Sequence, residues 1–351
     1  MVDSYRGETK EYNFLNYALF VTFFPQLIAG PIVHHSEMMP QFASRWNFIK
    51  NYKNIALGIF IFAIGLFKKV ILADTFALWA TTGFDNTAIL NFYEAWATSL
   101  SYTFQLYFDF SGYTDMAIGA ALLFNIKLPI NFYSPYKALD IQAFWRNWHI
   151  TLSRFLKEYI YIPLGGNRKG EFRTYSNLLL TFIIGGIWHG AGWTFIFWGF
   201  LHGMAQGIHR FWKRLGFTLP KFLAWFITFN FINIAWVFFR ATSWHDAMKV
   251  LHGMVDFNSI TTTKKFTHVL NTSINPLYDY TKWSISSYTY GLLILGFIII
   301  LYFKNSHQLS KQFKSMKIIP FSWILFTIII LGISLIFTVT NTNTEFLYFN
   351  F

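Results

Sequence analysis

Residues 178–211 read LLLTFIIGGIWHGAGWTFIFWGFLHGMAQGIHRF, two apolar runs separated by a glycine-rich turn that carries His189. With its flanks, each run is long enough to cross about 30 Å of hydrocarbon as a helix, which takes roughly 20 residues. A titratable ring between two such runs lies at membrane depth, where it is costly and by default functional. The stretch therefore predicts a helical membrane protein and marks His189 as a candidate catalytic residue.

The composition of the whole chain agrees with a membrane protein. Hydrophobic residues make up 54% and charged residues only 13% of the 351 residues, against roughly 25% charged in a soluble domain. The net charge of +12 comes from Lys and Arg clustered between apolar runs, as in loops that face an anionic leaflet, so we predict no nucleic-acid partner. Without cysteine or an H-E-x-x-H spacing, no metal site is expected either.

Further apolar runs predict an all-α, polytopic transmembrane bundle. Two other runs, 13–33 and 96–123, are interrupted by proline, glycine or polar residues. Broken or re-entrant segments are tolerated only where protein or a water-filled cavity covers the backbone, so these two predict a chamber inside the bundle. The clearest spans are 55–67 continuing to 73, 178–188, 193–211, 222–239, 288–303 and 318–340.

Basic loops set the predicted orientation of a multi-pass membrane protein. The segments 167–173, 209–214 and 304–317 carry the positive charge and are placed in the cytoplasm. The polar segment 240–287 and the tail 341–351 then fall outside.

The glycines around His189 are the main reason to treat that ring as functional. Gly185, Gly186, Gly190 and Gly192 remove side chains near it, so another backbone or a thin substrate can approach. A neutral imidazole in an apolar site is a competent general base. The competing interpretation is a histidine that only packs, which is also the role we favour for His202.

A second histidine lies in FWRNWHITLSRFLKEY, residues 144–159. As one helix, this segment would gather its aromatic and apolar residues on one face and its basic residues on or near the other. Two interpretations remain open: an amphipathic helix at the membrane interface, or a polar face that lines an access route for an anionic ligand such as a phosphorylated cofactor.

Two carboxylates stand in the apolar surroundings of residues 107–116, YFDFSGYTDM. Asp109 and Asp115 can relay protons, bind a cation, or hydrogen-bond to Arg or His from other segments. Since no further acids continue from them as a proton chain requires, we favour an organising role. The basic turn PLGGNRKG at 163–170 is interpreted as a cytoplasmic loop.

Taken in order, several segments resemble the membrane-bound O-acyltransferase family, in the bacterial branch typified by the membrane subunit of alginate O-acetylation. The segments are VDSYRG (2–7), FPQLIAGP (24–31), YFDFSGYTD (107–115), FWRNWHITLSRFLKEYIYIPLGG (144–166), WHGA (188–191), WGFLHG (198–203) and FLYF (346–349). The resemblance implies a helix bundle around a tunnel, with the acyl donor entering from the cytoplasm and the acceptor from outside.

The resemblance also implies roles for residues of this chain. His189 matches the catalytic histidine of the family and His149 the second histidine, which would orient the donor or polarise its carbonyl. Arg146, Arg154 and Lys157 would contact the phosphates of the donor, and Trp145 would also belong to the donor-binding site. The residues that would organise the tunnel are Asp109, Ser111, Tyr113, Asp115, Asn147 and Trp188.

The function that this resemblance implies is transfer of acetyl from cytoplasmic acetyl-CoA, a substrate rather than a bound cofactor, for O-acetylation of an alginate-like polysaccharide or peptidoglycan. A separate extracytoplasmic esterase-like partner would relay the group. D-alanyl transfer to teichoic acid, and a transporter with Asp109, Asp115 and His189 on an ion path, remain as alternatives. Residues 1–351 form one predicted domain that lacks the helices usually found ahead of VDSYRG, either through a late start codon or a truncated gene.

Overall fold

The computed structural model describes residues 2–7, 9, 13–27, 29–261 and 287–340, and every regular element in those ranges is helical. The predicted all-α class is therefore confirmed. The aromatic end at 346–349 lies outside the described residues. The main helices, numbered in chain order, are α1 (Val2–Tyr5), α2 (Phe14–Thr22), α3 (His35–Phe42), α4 (Tyr52–Asn86), α5 (Phe92–Leu123), α6 (Ile141–Asn147), α7 (Ile150–Leu156), α8 (Gly170–His189), α9 (Trp193–Arg214), α10 (Lys221–Arg240), α11 (Trp244–Met254), α12 (Asn258–Thr261), α13 (Ser287–Tyr302), α14 (Ser306–Ser315) and α15 (Phe321–Thr340). Within α4, the segments Lys68–Ala73 and Thr82–Asn86 are π-helical.

Several of these helices have the dimensions of membrane spans. By length and composition α4, α10 and α15 can each cross a membrane, and α13 with α14, bent by 51° at the break between them, would make a fourth. The 20 residues of α8 and the 22 of α9 extend about 30 Å each and flank His189 as predicted. Their composition is less apolar, so they do not count among these spans. The basic segment 304–317 is not a loop as expected, because its centre folds as α14.

The long helix α5 corrects one expectation. It runs unbroken through 32 residues, about 48 Å, although its polar cluster at 107–116 predicted an interruption. The helix begins with a capping box formed by Asn91 and Glu94. The two carboxylates of the cluster find partners on α4, where Lys69 lies 2.9 Å from Asp109 and Lys68 lies 2.6 Å from Asp115. Outside the cluster, Thr103 donates to Asn233 of α10 at 2.7 Å. A polar cluster therefore breaks no backbone hydrogen bond where packed helices supply its partners.

Glycines let α4 and α5 touch backbone to backbone. A Cβ placed on Gly58 would lie 2.7 Å from the carbonyl oxygen of Gly119, and one on Gly119 would lie 2.6 Å from that of Gly58. About two helical turns away, Gly65 of α4 and Gly112 of α5 oppose each other in the same way. Small residues at such a spacing are typical of tightly crossed membrane helices.

Replacing Gly119 by alanine should therefore separate α4 from α5. Overpacking of this kind costs about 1–3 kcal/mol, so we expect a clearly lower melting temperature for the detergent-solubilised protein. Gly332→Ala on α15 is the matched control, because no atom of the described residues lies within 4 Å of its added Cβ. Equal melting temperatures for the two variants would contradict the close crossing.

The segment 144–159 forms two short helices instead of one interfacial helix. Between α6 and α7, His149 adopts a left-handed conformation with φ of 42°. The indoles of Trp145 and Trp148 are buried and pack on Trp198 of α9 and Trp236 of α10 at ring separations of 5.9 and 5.0 Å. The apolar face of this segment is therefore covered by other helices of the protein.

Candidate active site

His149 is buried at the break between α6 and α7, and its neighbours fix its ring. The backbone N–H of Ile150 donates to the carbonyl oxygen of Asn131 at 3.0 Å, which ties the break to the preceding loop. The ring packs edge-on against Phe110 of α5 with centroids 4.7 Å apart. The left-handed residue thus turns the chain so that its imidazole points into the bundle.

The side chain of Asn131 decides which nitrogen of His149 carries the proton. Its Oδ1 accepts from the backbone N–H and the hydroxyl of Thr151 at 3.1 and 3.0 Å, and it lies 3.1 Å from Nδ1 of His149. Because this oxygen only accepts, Nδ1 of the neutral ring donates to it. The remaining nitrogen, Nε2, is a buried acceptor without a hydrogen-bond partner among the described residues.

We therefore expect Asn131→Leu to disorder the His149 ring while leaving its chemistry in place. The acetyl transfer that the family resemblance implies should fall about tenfold, the equivalent of roughly 1.4 kcal/mol for one lost hydrogen bond. Thr151→Val removes a different donor to the same oxygen and should have the smaller effect. Rates of acetyl-ester formation at matched protein levels measure both, and a wild-type rate in Asn131→Leu would show that His149 needs no such support.

His189 is the last residue of α8 and sits among aromatic rings. Its imidazole makes edge-on contacts with Trp188, Trp198 and Phe239 at centroid distances of 4.9, 5.3 and 5.0 Å. Trp188 itself is largely exposed. Among the glycines nearby, Gly186 faces the backbone of Phe195 on α9, so the predicted close backbone approach occurs there.

The fold brings His149 and His189 into one neighbourhood. Trp198 contacts the ring of His189 at 5.3 Å and that of Trp236 at 5.8 Å. Trp236 in turn contacts Trp148, the residue before His149, at 5.0 Å. Both imidazole rings lie in the aromatic interior formed by α5, α9 and α10. The arrangement places a buried imidazole acceptor near a second histidine, among aromatic rings.

Asp109 and Asp115 are engaged in ion pairs with lysines, not with the Arg or His partners expected. Lys69 lies 2.9 Å from Asp109 and 2.6 Å from Asp74, and Lys68 lies 2.6 Å from Asp115. Asp115 also accepts from the hydroxyl of Ser306 at the start of α14. These contacts tie α4, α5 and α14 together and favour an organising role over an ion path.

Two residues assigned to the donor have other partners in the structure. Arg154 forms a two-bond pair with Glu37 of α3, one of its bonds measuring 3.1 Å. Burial raises the pKa of Glu37, but the bond to Arg154 and its charge outweigh this, and the pKa is lowered overall. Trp145 donates through Nε1 to Nδ1 of His202 at 3.1 Å. Arg146 is exposed, and Asn147 caps α6 by bonding to its own helix.

A basic cavity of about 650 Å³ lies at the end of α9 that is predicted to face the cytoplasm. The turn that contains Gly165 and Gly166 borders it, and positive φ values of 107° and 54° at these glycines let the turn double back. Glu171 offsets part of the charge through Arg210 and Arg214 at 3.1 and 3.0 Å. The cations that line the cavity are Lys157, Arg168, Arg210, Lys213 and Arg214.

The model of the membrane-bound O-acyltransferase family matches residues 2–243, a range that contains both histidines, the ion pairs and the basic cavity. The chain belongs to the membrane-bound O-acyltransferase family. Together with the apolar helices, this membership makes it a membrane protein. The predicted family resemblance is confirmed.

Members of this acyltransferase family with similar sequences modify different polymers, to judge by their names. The chain is 57% identical over 348 residues to a peptidoglycan O-acetyltransferase of Helicobacter pylori, covering 97% of the chain and 65% of that protein. It is 44% identical over 271 residues to a probable alginate O-acetylase of Pseudomonas putida, covering 73% and 53%. A teichoic acid D-alanyltransferase of Streptococcus thermophilus is 27% identical, with 66% and 63% covered. The chain thus spans between half and two thirds of the length of these relatives.

Some residues of the candidate site were not predicted from the sequence. Asn131 had no assigned role, and Lys68 and Lys69 were treated as part of a span. The sequence did contain a signal for the ion pairs: Lys68, Lys69, Asp109 and Asp115 are charged residues within apolar runs. The basic end of α9 and the turn at 163–170 were predicted as separate loops, and only the fold joins them into one cavity.

Proposed function

We propose that this protein is a membrane O-acetyltransferase that moves acetyl from cytoplasmic acetyl-CoA across the inner membrane for O-acetylation of a cell-envelope polysaccharide. The observation that carries the proposal is the packing of His149 and His189 into one aromatic interior, where Trp198 and Trp236 link the ring of His189 to Trp148, within the range that matches the family. The 57% identity to a peptidoglycan O-acetyltransferase favours peptidoglycan as the acceptor.

In the proposed reaction, His189 acts as the general base. It takes the proton of a hydroxyl as the oxygen attacks the acetyl carbonyl, and the C–S bond breaks to release the thiolate of coenzyme A. A positioned base of this kind contributes typically 10²–10⁴-fold to the rate. The aromatic surroundings keep water from competing for the acetyl group.

The tautomer of His149 favours one of its two expected roles. Polarising a carbonyl needs a donor, whereas Nε2 of the neutral ring is an acceptor when Nδ1 donates to Asn131. An acceptor can instead hold an amide N–H of the donor's arm. We therefore assign His149 to orienting the donor.

The basic cavity is the proposed site for the phosphates of coenzyme A. Of the residues first assigned to them, Lys157 lines the cavity, whereas Arg154 is engaged by Glu37. Arg168 and Lys213 add charge there, and Arg side chains suit phosphate oxygens well.

The test is transfer of radiolabelled acetyl from acetyl-CoA into alkali-labile esters of envelope polymer, in membranes that contain the full-length protein. We expect label only when acetyl-CoA is supplied, and no stimulation by a D-alanyl carrier protein. Labelled D-alanyl ester would favour the teichoic acid alternative, whereas pH-dependent ion flux without any ester would favour a transporter. Deleting the gene for an esterase-like partner tests the proposed relay, because direct transfer would survive the deletion.

A further inference from the structure

One face of α9 connects the basic cavity to His189. Trp198, His202 and Gln206 follow each other at intervals of four residues, so their side chains share a face of the helix, and all three are buried. Gln206 lines the cavity, while Trp198 contacts the ring of His189 at 5.3 Å. The file from Trp198 to Gln206 covers about 12 Å of helix.

The middle residue of this file, His202, has a defined tautomer. Its Nδ1 lies 3.1 Å from Nε1 of Trp145, and an indole nitrogen only donates. The neutral ring must therefore carry its hydrogen on Nε2. That nitrogen is fully buried and has no hydrogen-bond partner in the described part of the chain.

Next to Nε2 of His202 lies a second buried hydrogen-bond donor, the indole nitrogen of Trp198. Nε1 of Trp198 is buried without a partner among the described residues, and the rings of Trp198 and His202 are 4.8 Å apart. A buried unpaired donor is costly, and two neighbouring donors need acceptors from elsewhere. The surrounding rings, including Phe182 and Phe231, suit an apolar chain that carries carbonyl groups and no charge.

We propose that His202 binds the arm of the acyl donor, with Nε2–H donating to an amide carbonyl oxygen of the pantetheine chain between the basic cavity and His189. This inference rests on the proposed function, since it takes acetyl-CoA as the donor. It replaces the packing role that the sequence suggested for His202. Trp145 is then a positioning residue that fixes the tautomer of His202, and not itself a contact of the donor.

Two substitutions of His202 test the roles of its two ring nitrogens separately. In His202→Asn the amide oxygen is bonded to Cγ, as Nδ1 is, so it can still accept from Trp145 while the Nε2 donor is lost. In His202→Gln the amide nitrogen is one bond further out, as Nε2 is, and the donor is kept. Both are compared with wild type in membranes that contain the full-length protein, with radiolabelled acetyl-CoA as substrate and free coenzyme A as competitive inhibitor.

We expect His202→Asn to raise the KM for acetyl-CoA about five- to tenfold, the range of one neutral hydrogen bond. The inhibition constant of free coenzyme A should rise by the same factor, because the contact is to the arm and not to the acetyl group. The value of kcat should change little, and His202→Gln should restore both constants.

Unchanged constants in His202→Asn would overturn the proposal, as would a fall in kcat with KM unchanged. If neither His202 variant folds, Trp198→Phe decides: it removes the neighbouring donor and keeps a ring, and an unaltered inhibition constant would reject an arm bound along this face. Wild-type protein and His189→Ala are assayed in parallel, so that failure of the two proposals can be told apart. Absence of acetyl transfer by the wild-type protein would refute the proposed function, whereas unchanged constants in an active protein would refute only the role of His202.

Discussion

Replacing His189 by alanine is expected to abolish acetyl esters on the envelope polymer of cells whose only copy is the variant. The loss of a general base lowers the rate by about 10²–10⁴-fold, which leaves no measurable ester at normal growth. Stability should change far less, because the ring is only partly buried and its contacts are to aromatic rings.

Ester content at matched membrane levels, measured by release with mild alkali, checks this expectation. His245→Ala is the control, since His245 is an exposed histidine near the start of α11. Equal ester in His189→Ala and wild type would remove His189 as the base. Ester lost in the control as well would indicate a general effect of histidine replacement on the fold.

Lys69→Met is expected to give the largest loss of stability. Lys69 lies between Asp74 and Asp109, and its removal leaves two carboxylates buried without their cation. Breaking a buried pair from one side costs about 3–5 kcal/mol. We expect a strongly reduced melting temperature in detergent and a low yield of intact protein in membranes.

Restoring charge balance should recover much of that stability. The triple variant Lys69→Met, Asp74→Asn, Asp109→Asn removes the charges together, and well-packed replacements of buried pairs are often neutral. Lys50→Met, an exposed lysine before α4, controls for the loss of one positive charge. A Lys69→Met protein as stable as the Lys50→Met protein would show that the buried charges are solvated by some other route.

The helices were predictable because apolar runs of span length admit few other structures in lipid. The predicted spans at 222–239 and 193–211 correspond closely to α10 and α9. The continuity of α5 was not predictable, since the partners of its polar cluster, Lys68 and Lys69, lie elsewhere in the sequence and reach Asp115 and Asp109 only after folding.

The site was predictable to the level of its two histidines and no further. Motif order pointed to His149 and His189, but the tautomer of His149 follows from the side chain of Asn131, 18 residues earlier. Likewise the engagement of Arg154 depends on Glu37, 117 residues away. Tertiary packing determines these contacts, so the local pattern of polar and apolar residues does not predict them.

The ion pairs between α4 and α5 also bear on how the chain is inserted during synthesis. Lys69 finds Asp74 five residues later in the same helix, whereas the partner of Lys68 is 47 residues downstream. At about 5–20 residues per second, the ribosome delivers Asp115 roughly 2–10 seconds after Lys68. Until then the Lys68 ammonium must stay near water or the insertion machinery. We therefore expect α4 and α5 to enter the bilayer as a pair, after α5 has been synthesised.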